Sequence, residues 1–234
     1  MKFEFEHFTT ADGSPSLSTA PNWERMHAEE GAFTERQLIY QPLVETTFDT
    51  VKEPVFLSMG LGIGYNEFTI AFEALKCSQN PKLIVSYESV EFLKESFAHW
   101  LKNKPSVLSA VYDEIMKIYS EKYKRKAEEA KQLLLKMLND NRLQLLGRLE
   151  EANPPASHGI LFDAFSPKTC PQLWTPEFLD QFFEKASAKP CFVATHACNT
   201  ALKQALKKNG FTLEINEGFG RKRESLSAFR PLKG

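Results

Sequence analysis

The stretch Val55-Phe56-Leu57-Ser58-Met59-Gly60-Leu61-Gly62-Ile63-Gly64-Tyr65 decides the fold. Val55-Phe56-Leu57 reads as a buried strand, Ser58 to Gly64 as a sharp turn with glycine at alternate positions, and Asn66 to Lys76 as a helix. Glycine permits the turn and lets a ligand approach main-chain N–H groups that a Cβ would shield. Pro81-Lys82 then leads into a second strand, Leu83-Ile84-Val85-Ser86-Tyr87, which ends in Glu88, 24 residues beyond Gly64. Strand, glycine turn, helix, strand and acid in this order form the nucleotide-binding half of an open α/β sheet, where the acid accepts hydrogen bonds from ribose hydroxyls. Glu88 is assigned that role, with capping of the following helix as its alternative.

Spacing narrows the ligand. A dinucleotide fingerprint, G-x-G-x-x-G, would need glycine at position 65, which is tyrosine, so the chain carries G-x-G-x-G instead. That alternation is commoner in S-adenosylmethionine-dependent methyltransferases, which makes Gly60, Gly62 and Gly64 candidate cofactor contacts.

The 234 residues, 42% hydrophobic and 25% charged, suit one domain, and the net charge of −1 sets up no global basic field for nucleic acid. Cys77, Cys170, Cys191 and Cys198 lack C-x-x-C spacing, so neither a metal site nor a disulfide framework is expected. The first residues, Met1-Lys2-Phe3-Glu4-Phe5-Glu6, carry acids where a signal peptide is apolar, and no run approaches the roughly 18 apolar residues of a membrane span. A cytoplasmic protein with no membrane partner is the expectation. Two local basic groups stand out: Lys117, Lys122, Lys124, Arg125 and Lys126, which also read as a solvated helix face, and the triplet Arg221-Lys222-Arg223.

Outward from the glycine turn, residues 3–9 alternate as a half-buried strand closed by Asp12-Gly13, giving an N-terminal hairpin. Asn22 to Glu45 reads as helical, with Phe33, Leu38 and Tyr40 inward and Pro42 as a break. After the first βαβα unit (55–59, 66–76, 83–87, 90–103), Val107 to Leu138 reads as one long helical insertion, followed by a strand at Leu143–Leu146. Strands at 159–162, 191–195, 211–215 and 225–229 alternate with helices at 176–187 and 199–209. The pattern implies a doubly wound, mostly parallel Rossmann-like sheet with an antiparallel edge. One domain is expected, with 1–50 as an N-terminal extension, 51–105 as the cofactor-binding half, 106–150 as the insertion and 151–234 as the substrate side.

Asp163-Ala164-Phe165-Ser166-Pro167 follows the strand at 159–162 at its carboxyl end, where ligands sit in open α/β sheets. Asp163 is the candidate for orienting an amine acceptor beside the transferable methyl and taking its proton; an Asx turn is the alternative. Trp174 walls the pocket or fills the core, and His196 is a base or a packing residue, packing being favoured.

With these residues assembled, the chain resembles a known family. Asp163-Ala-Phe-Ser-Pro-Lys-Thr-Cys-Pro-Gln-Leu-Trp174-Thr-Pro is similar to the D-[GA]-F-[AS]-P-x-x-x-P-x-[ML]-W-T motif of the methyltransferase domain of the bifunctional tRNA wobble-uridine modification enzyme and its stand-alone relatives. Gly218-Phe-Gly-Arg-Lys-Arg-Glu224 is similar to its G-x-G-x-K-R-[ED] signature, and Asp12-Gly13-Ser14, Met26-His27 and Gly31-Ala32 to N-terminal segments of the stand-alone branch. The resemblance implies a class I methyltransferase that uses S-adenosylmethionine to N-methylate the aminomethyl group of modified wobble uridine, with tRNA as partner. It also implies Gly60, Gly62, Gly64, Glu88 and Asp163 at the cofactor, and Phe165, Trp174, Phe219, Arg221 and Lys222 on the substrate side. FAD is not expected, because 234 residues do not accommodate the oxidase half. Three departures bear on cofactor affinity and substrate: Ser58 where an acid is usual, Gly147-Arg148-Leu149 where G-D-A is usual, and Thr195-His196-Ala197-Cys198-Asn199 where small residues and glycine are usual. The alternatives are methylation of a small-molecule amine and a non-catalytic cofactor-binding relative.

Overall fold

The computed structural model describes residues 4–20 and 23–232; Phe3 and Asn22, the first residues of the expected strand and helix, lie outside them. A hairpin of β1 (Phe5–Thr9) and β2 (Pro15–Thr19) is extended by the short β3 (Glu24–Arg25) into a three-stranded antiparallel sheet. The expected helix from residue 22 therefore begins only at Ala32: β3 and its following turn occupy the space up to Gly31.

From Ala32 the chain is helical to Thr50 as α1 (Ala32–Glu35), a π-turn (Arg36–Tyr40) and α2 (Gln41–Thr50). Pro42 does not break it. The proline sits in the first turn of α2, where its missing N–H costs little beside the wide π-turn. That turn also corrects the inward face. An extra residue per turn rotates the 3.6-residue stripe, so Arg36 and Tyr40 are fully buried while Leu38 is 60% exposed.

The seven-stranded sheet is ordered β6-β5-β4-β7-β8-β10-β9: β4 (Val55–Met59), β5 (Leu83–Tyr87), β6 (Leu143–Leu146), β7 (Ser157–Phe162), β8 (Ser187–Thr195), β9 (Thr212–Glu217) and β10 (Glu224–Arg230). Strands β4 to β8 pair in parallel, and β10 runs antiparallel to both its neighbours. Both faces are covered, which is why the central strands are continuously apolar. On one side α2, α3 (Tyr65–Cys77), α4 (Glu91–Leu101), α5 (Ser109–Tyr123) and α6 (Ala127–Asn139) enclose a core including Phe68, Phe97, Tyr112 and Tyr119. On the other, α7 (Pro176–Ala186) and α8 (Thr200–Lys208) close over Phe162, Phe183 and Val193.

The expected single helix of the insertion is two, α5 and α6, because the chain reverses at Lys124 in the left-handed region (φ 54°). Reversal lets both apolar faces meet α3, with Tyr119 stacked on Phe72 at 5.3 Å between ring centroids. These helices are a core layer. Lys117, Lys122, Lys124, Arg125 and Lys126 remain on their solvent side.

The fold positions the site through its connections. β4 is followed by β5 on one side and the chain later returns through β7 on the other, so the loops after β4 and β7 part above the carboxyl ends of adjacent strands. A crevice opens at such a reversal of winding.

Candidate active site

A cavity of about 290 Å³ fills that crevice. Its walls come from six separate stretches of sequence: the segment 24–30, the glycine turn with Tyr65 and Asn66, Glu88, residues 163–166, His196, and Phe219 with Arg221 and Lys222. The carboxylates Glu24, Glu29, Glu30, Glu88 and Asp163 outnumber the cations Arg25, Arg221 and Lys222, a balance that favours a positively charged ligand.

The glycine turn acts through the side chains it lacks. Gly60 has φ +94°, and a Cβ there would stand 2.7 Å from the Asp163 carbonyl oxygen, so only glycine lets the β4 and β7 loops approach. Its N–H groups are occupied: Gly60 and Leu61 donate to the Tyr87 carbonyl at 3.0 and 3.1 Å, and Gly62 donates to Glu88 Oε2 at 3.1 Å. The expected cradle of free main-chain donors is thus, at these three residues, a smooth wall. Gly64 does not line the cavity; with φ +83° it starts α3, and a Cβ would stand 2.6 Å from the Phe97 ring.

Both expectations for Glu88 coexist. The residue borders the cavity while its Oε1 accepts from the Val90 N–H at 2.9 Å ahead of α4. Burial pushes its carboxyl up, against the pull of those N–H groups. Ser58 is buried beneath the turn, where its Oγ accepts from Asn66 Nδ2 at 3.2 Å.

Asp163 sits at the centre of a network that the sequence did not announce. Its Oδ2 accepts from Arg36 Nη1 at 2.6 Å, and its Oδ1 from the Tyr40 hydroxyl at 2.9 Å, with His196 Nδ1 at 3.1 Å from the same oxygen. Arg36 Nη1 also donates to Asn66 Oδ1 at 3.0 Å, and its guanidinium lies 4.2 Å from the centre of the Tyr40 ring. Burial alone would raise the Asp163 carboxyl, but the Arg36 guanidinium and the His196 contact override it and hold it well below the usual carboxylate range. Burial, reinforced by the Asp163 charge, keeps the Tyr40 hydroxyl protonated. A carboxylate held this way accepts hydrogen bonds well and protons poorly.

Residues 24–30 close one side of the cavity. Glu24 accepts from the Ser166 N–H at 3.0 Å and from the Ser166 and Thr169 hydroxyls, clasping β3 onto the loop after β7. Glu35 accepts from the Ala28 N–H at 3.2 Å and pairs with Lys222 at 3.3 Å. Burial lowers the His27 imidazole to about 3, so it is neutral where it meets Ser16 Oγ at 2.8 Å.

Of the expected substrate-side residues, Phe165, Phe219, Arg221 and Lys222 line the cavity and Trp174 does not. Trp174 is buried edge-on against Phe162 and donates Nε1–H to the Phe165 carbonyl at 2.8 Å, so it holds the wall from behind. Arg221 pairs with Glu29 at 3.1 Å on the surface. Arg148 pairs with Glu150 away from the cavity. His196, expected to pack, lines the cavity. Arg36, Tyr40 and Glu24 carry no motif: a charged residue inside an amphipathic pattern reads as a solvated face, and only the π-turn turns Arg36 inward.

The family described as S-adenosyl-L-methionine-dependent methyltransferase matches residues 104–231, more than half of the chain. The chain belongs to this family. This methyltransferase is 24% identical to an uncharacterized protein of Methanocaldococcus jannaschii over 247 residues, covering 98% of the chain and 61% of that relative. It is also 24% identical over 199 residues to the tRNA 5-methylaminomethyl-2-thiouridine biosynthesis bifunctional protein MnmC of Campylobacter hominis, covering 84% of the chain and 28% of MnmC. The chain thus spans less than two thirds of either relative. The crystal structure of MNMC2 from Aquifex aeolicus superposes with a TM-score of 0.69 at 22% identity, covering 100% of the chain and 72% of that structure, a likeness of fold. The resemblance carried by residues 163–176 and 218–224 is borne out, as is the mostly parallel α/β fold. Among the described residues no helix is long and apolar enough to cross a membrane, and no group of three or more His, Cys, Asp or Glu could hold a metal ion.

The cavity suits the family's cofactor on its own chemistry. A wall without side chains at Gly60 and Gly62, a buried carboxylate at Glu88 and an excess of acids match an adenosyl group bearing hydroxyls and a cationic end.

Proposed function

We propose that this methyltransferase N-methylates the aminomethyl group of modified wobble uridine in tRNA. The observation that carries the reading is that one cavity joins the glycine turn, Asp163 and the residues 219–222 of the C-terminal signature. When bound, S-adenosylmethionine supplies an electrophilic methyl group on a sulfonium. Gly60, Gly62 and Glu88 would hold its adenosyl part, Gly64 contributing by starting α3, and Asp163 would border its methyl end.

The chain's residues do the rest by orientation and desolvation. Asp163 supplies the negative charge that draws and orients the acceptor ammonium. Arg36 keeps that charge in place, and Tyr40 fixes the oxygen that bears it. Phe165 and Phe219 offer flat apolar surface to a base, backed by Trp174, while Arg221 and Lys222 at the mouth meet backbone phosphate.

The test is calorimetric titration with S-adenosylmethionine, followed by methyl transfer to tRNA lacking the wobble methyl. Binding with transfer to that tRNA is the expected result; transfer to small amines without any response to tRNA would overturn the substrate assignment. That second reading is favoured by one feature: Arg221 and Lys222 are each already paired with a glutamate, Glu29 and Glu35.

A further inference from the structure

An ammonium acceptor cannot attack until it loses a proton, and the structure separates the group that holds the charge from the group that can take that proton. Asp163 is tied by Arg36 and is a poor proton acceptor. His196 stands beside it at the end of β8, lining the cavity. Its Nδ1 lies 3.1 Å from Asp163 Oδ1 and 3.2 Å from the Tyr40 hydroxyl oxygen.

These contacts fix the tautomer. An ionised carboxylate only accepts hydrogen bonds, and the Tyr40 hydroxyl spends its proton on Asp163 Oδ1, so both oxygens facing Nδ1 require it to be the donor. The proton of the neutral ring is therefore on Nδ1, and Nε2 carries a lone pair. The partner sets the tautomer of the ring, as in other His–Asp pairs.

We propose that His196 Nε2 is the proton acceptor for the amine substrate, with Asp163 and Tyr40 as its positioning residues. This rests on the reading of the chain as an amine methyltransferase. In the step, one N–H bond of the substrate ammonium breaks, its electron pair stays on nitrogen as the attacking lone pair, and the proton passes to Nε2. The imidazolium so formed is stabilised by the Asp163 carboxylate and later releases its proton to water.

The charged and titratable groups around the imidazole come from each neighbouring element. They are Asp163 after β7, Arg36 and Tyr40 from the π-turn, Glu35 at the end of α1, and Lys222 from the loop between β9 and β10, which pairs with Glu35. Imidazole is the side chain that exchanges protons near neutral pH, where an alkyl amine is still protonated.

The experiment compares wild-type enzyme with His196→Asn, whose amide can keep the donation to Asp163 while removing the Nε2 lone pair. Cofactor affinity by calorimetry is expected to stay within about twofold, and kcat at pH 7 to fall roughly a hundredfold or more. The deficit narrows as pH rises, because an acceptor already deprotonated in solution needs no base. In His196→Ala, added imidazole restores part of kcat. Nitrogen-15 NMR of the cofactor-free wild type is expected to show the Nδ1–H tautomer, lost in Asp163→Asn. Wild-type kcat in His196→Asn, a deficit constant across pH, or an Nε2–H tautomer in the wild type would each overturn the assignment. If the wild-type enzyme binds the cofactor yet methylates no amine, the functional reading falls and this inference with it; turnover with any of the three results above removes His196 alone.

Discussion

Replacing Arg36 with methionine tests whether the buried Arg36–Asp163 pair holds the site together. The guanidinium is fully buried, and its Nη1 is 2.6 Å from Asp163 Oδ2. Removing one partner of such a pair strands the other charge and costs about 3–5 kcal/mol, against about 1 for an exposed pair. For a chain of this size that corresponds to a fall in Tm of about 6–20 °C.

The sign of the pH dependence follows from Asp163. In the wild type its carboxyl is depressed below the unfolded value, so its contribution is present above the usual carboxylate range and is lost as pH falls through the folded value. In Arg36→Met burial prevails and the carboxyl rises above its unfolded value. The group then destabilises the fold at neutral pH, and the penalty fades toward acid as the carboxyl protonates. Urea denaturation of Arg36→Met, Asp163→Asn and the double variant at pH 7 and pH 5 reads this directly. The loss is expected to be larger at pH 7, and Asp163→Asn is expected to recover part of it in the Arg36→Met background. A loss below about 1 kcal/mol, or one equal at both pH values, would refute the reasoning.

Gly60→Ala is expected to abolish cofactor binding in calorimetry, since its Cβ would meet the Asp163 carbonyl at 2.7 Å with φ at +94°. Glu67 is fully buried on α3, accepts from the Ser86 hydroxyl at 2.6 Å on Oε1, and is pushed up to about 7 by burial. Its ionisation costs stability above the unfolded carboxylate range, so Glu67→Gln is expected to gain about 1–3 kcal/mol at pH 8 in urea denaturation, a gain that shrinks toward pH 5. Leu38→Ser, at a position 60% exposed, is expected to change stability by less than about 0.5 kcal/mol by the same measurement. Arg221→Ala is expected to weaken tRNA binding and to lower its salt slope by about 1 in filter-binding titrations across ionic strength.

The sequence by itself determined the sheet. Val55-Phe56-Leu57, the strand at 83–87 and the strand at 159–162 are largely apolar on both faces, and strands of that composition are stable only between two helical layers. It determined the glycine turn and the position of Asp163 as well, because both follow from local signals: a turn that needs positive φ, and an acid directly after a strand. What the tertiary structure alone decided is what surrounds Asp163. Arg36 is 127 residues away and Tyr40 is 123; the helical pattern already turned Tyr40 inward, but the inward orientation of Arg36 depends on a single π-turn that no periodicity encodes. Trp174 and His196 exchanged their expected roles for the same reason. Whether an aromatic or imidazole ring faces core or cavity is set by the elements that pack around it: the Phe165 carbonyl captures the Trp174 N–H, and the Asp163 carboxylate captures His196 Nδ1. Local sequence carries turn geometry and burial pattern. Charge partnership across the sheet exists only once the strands have brought their loops together.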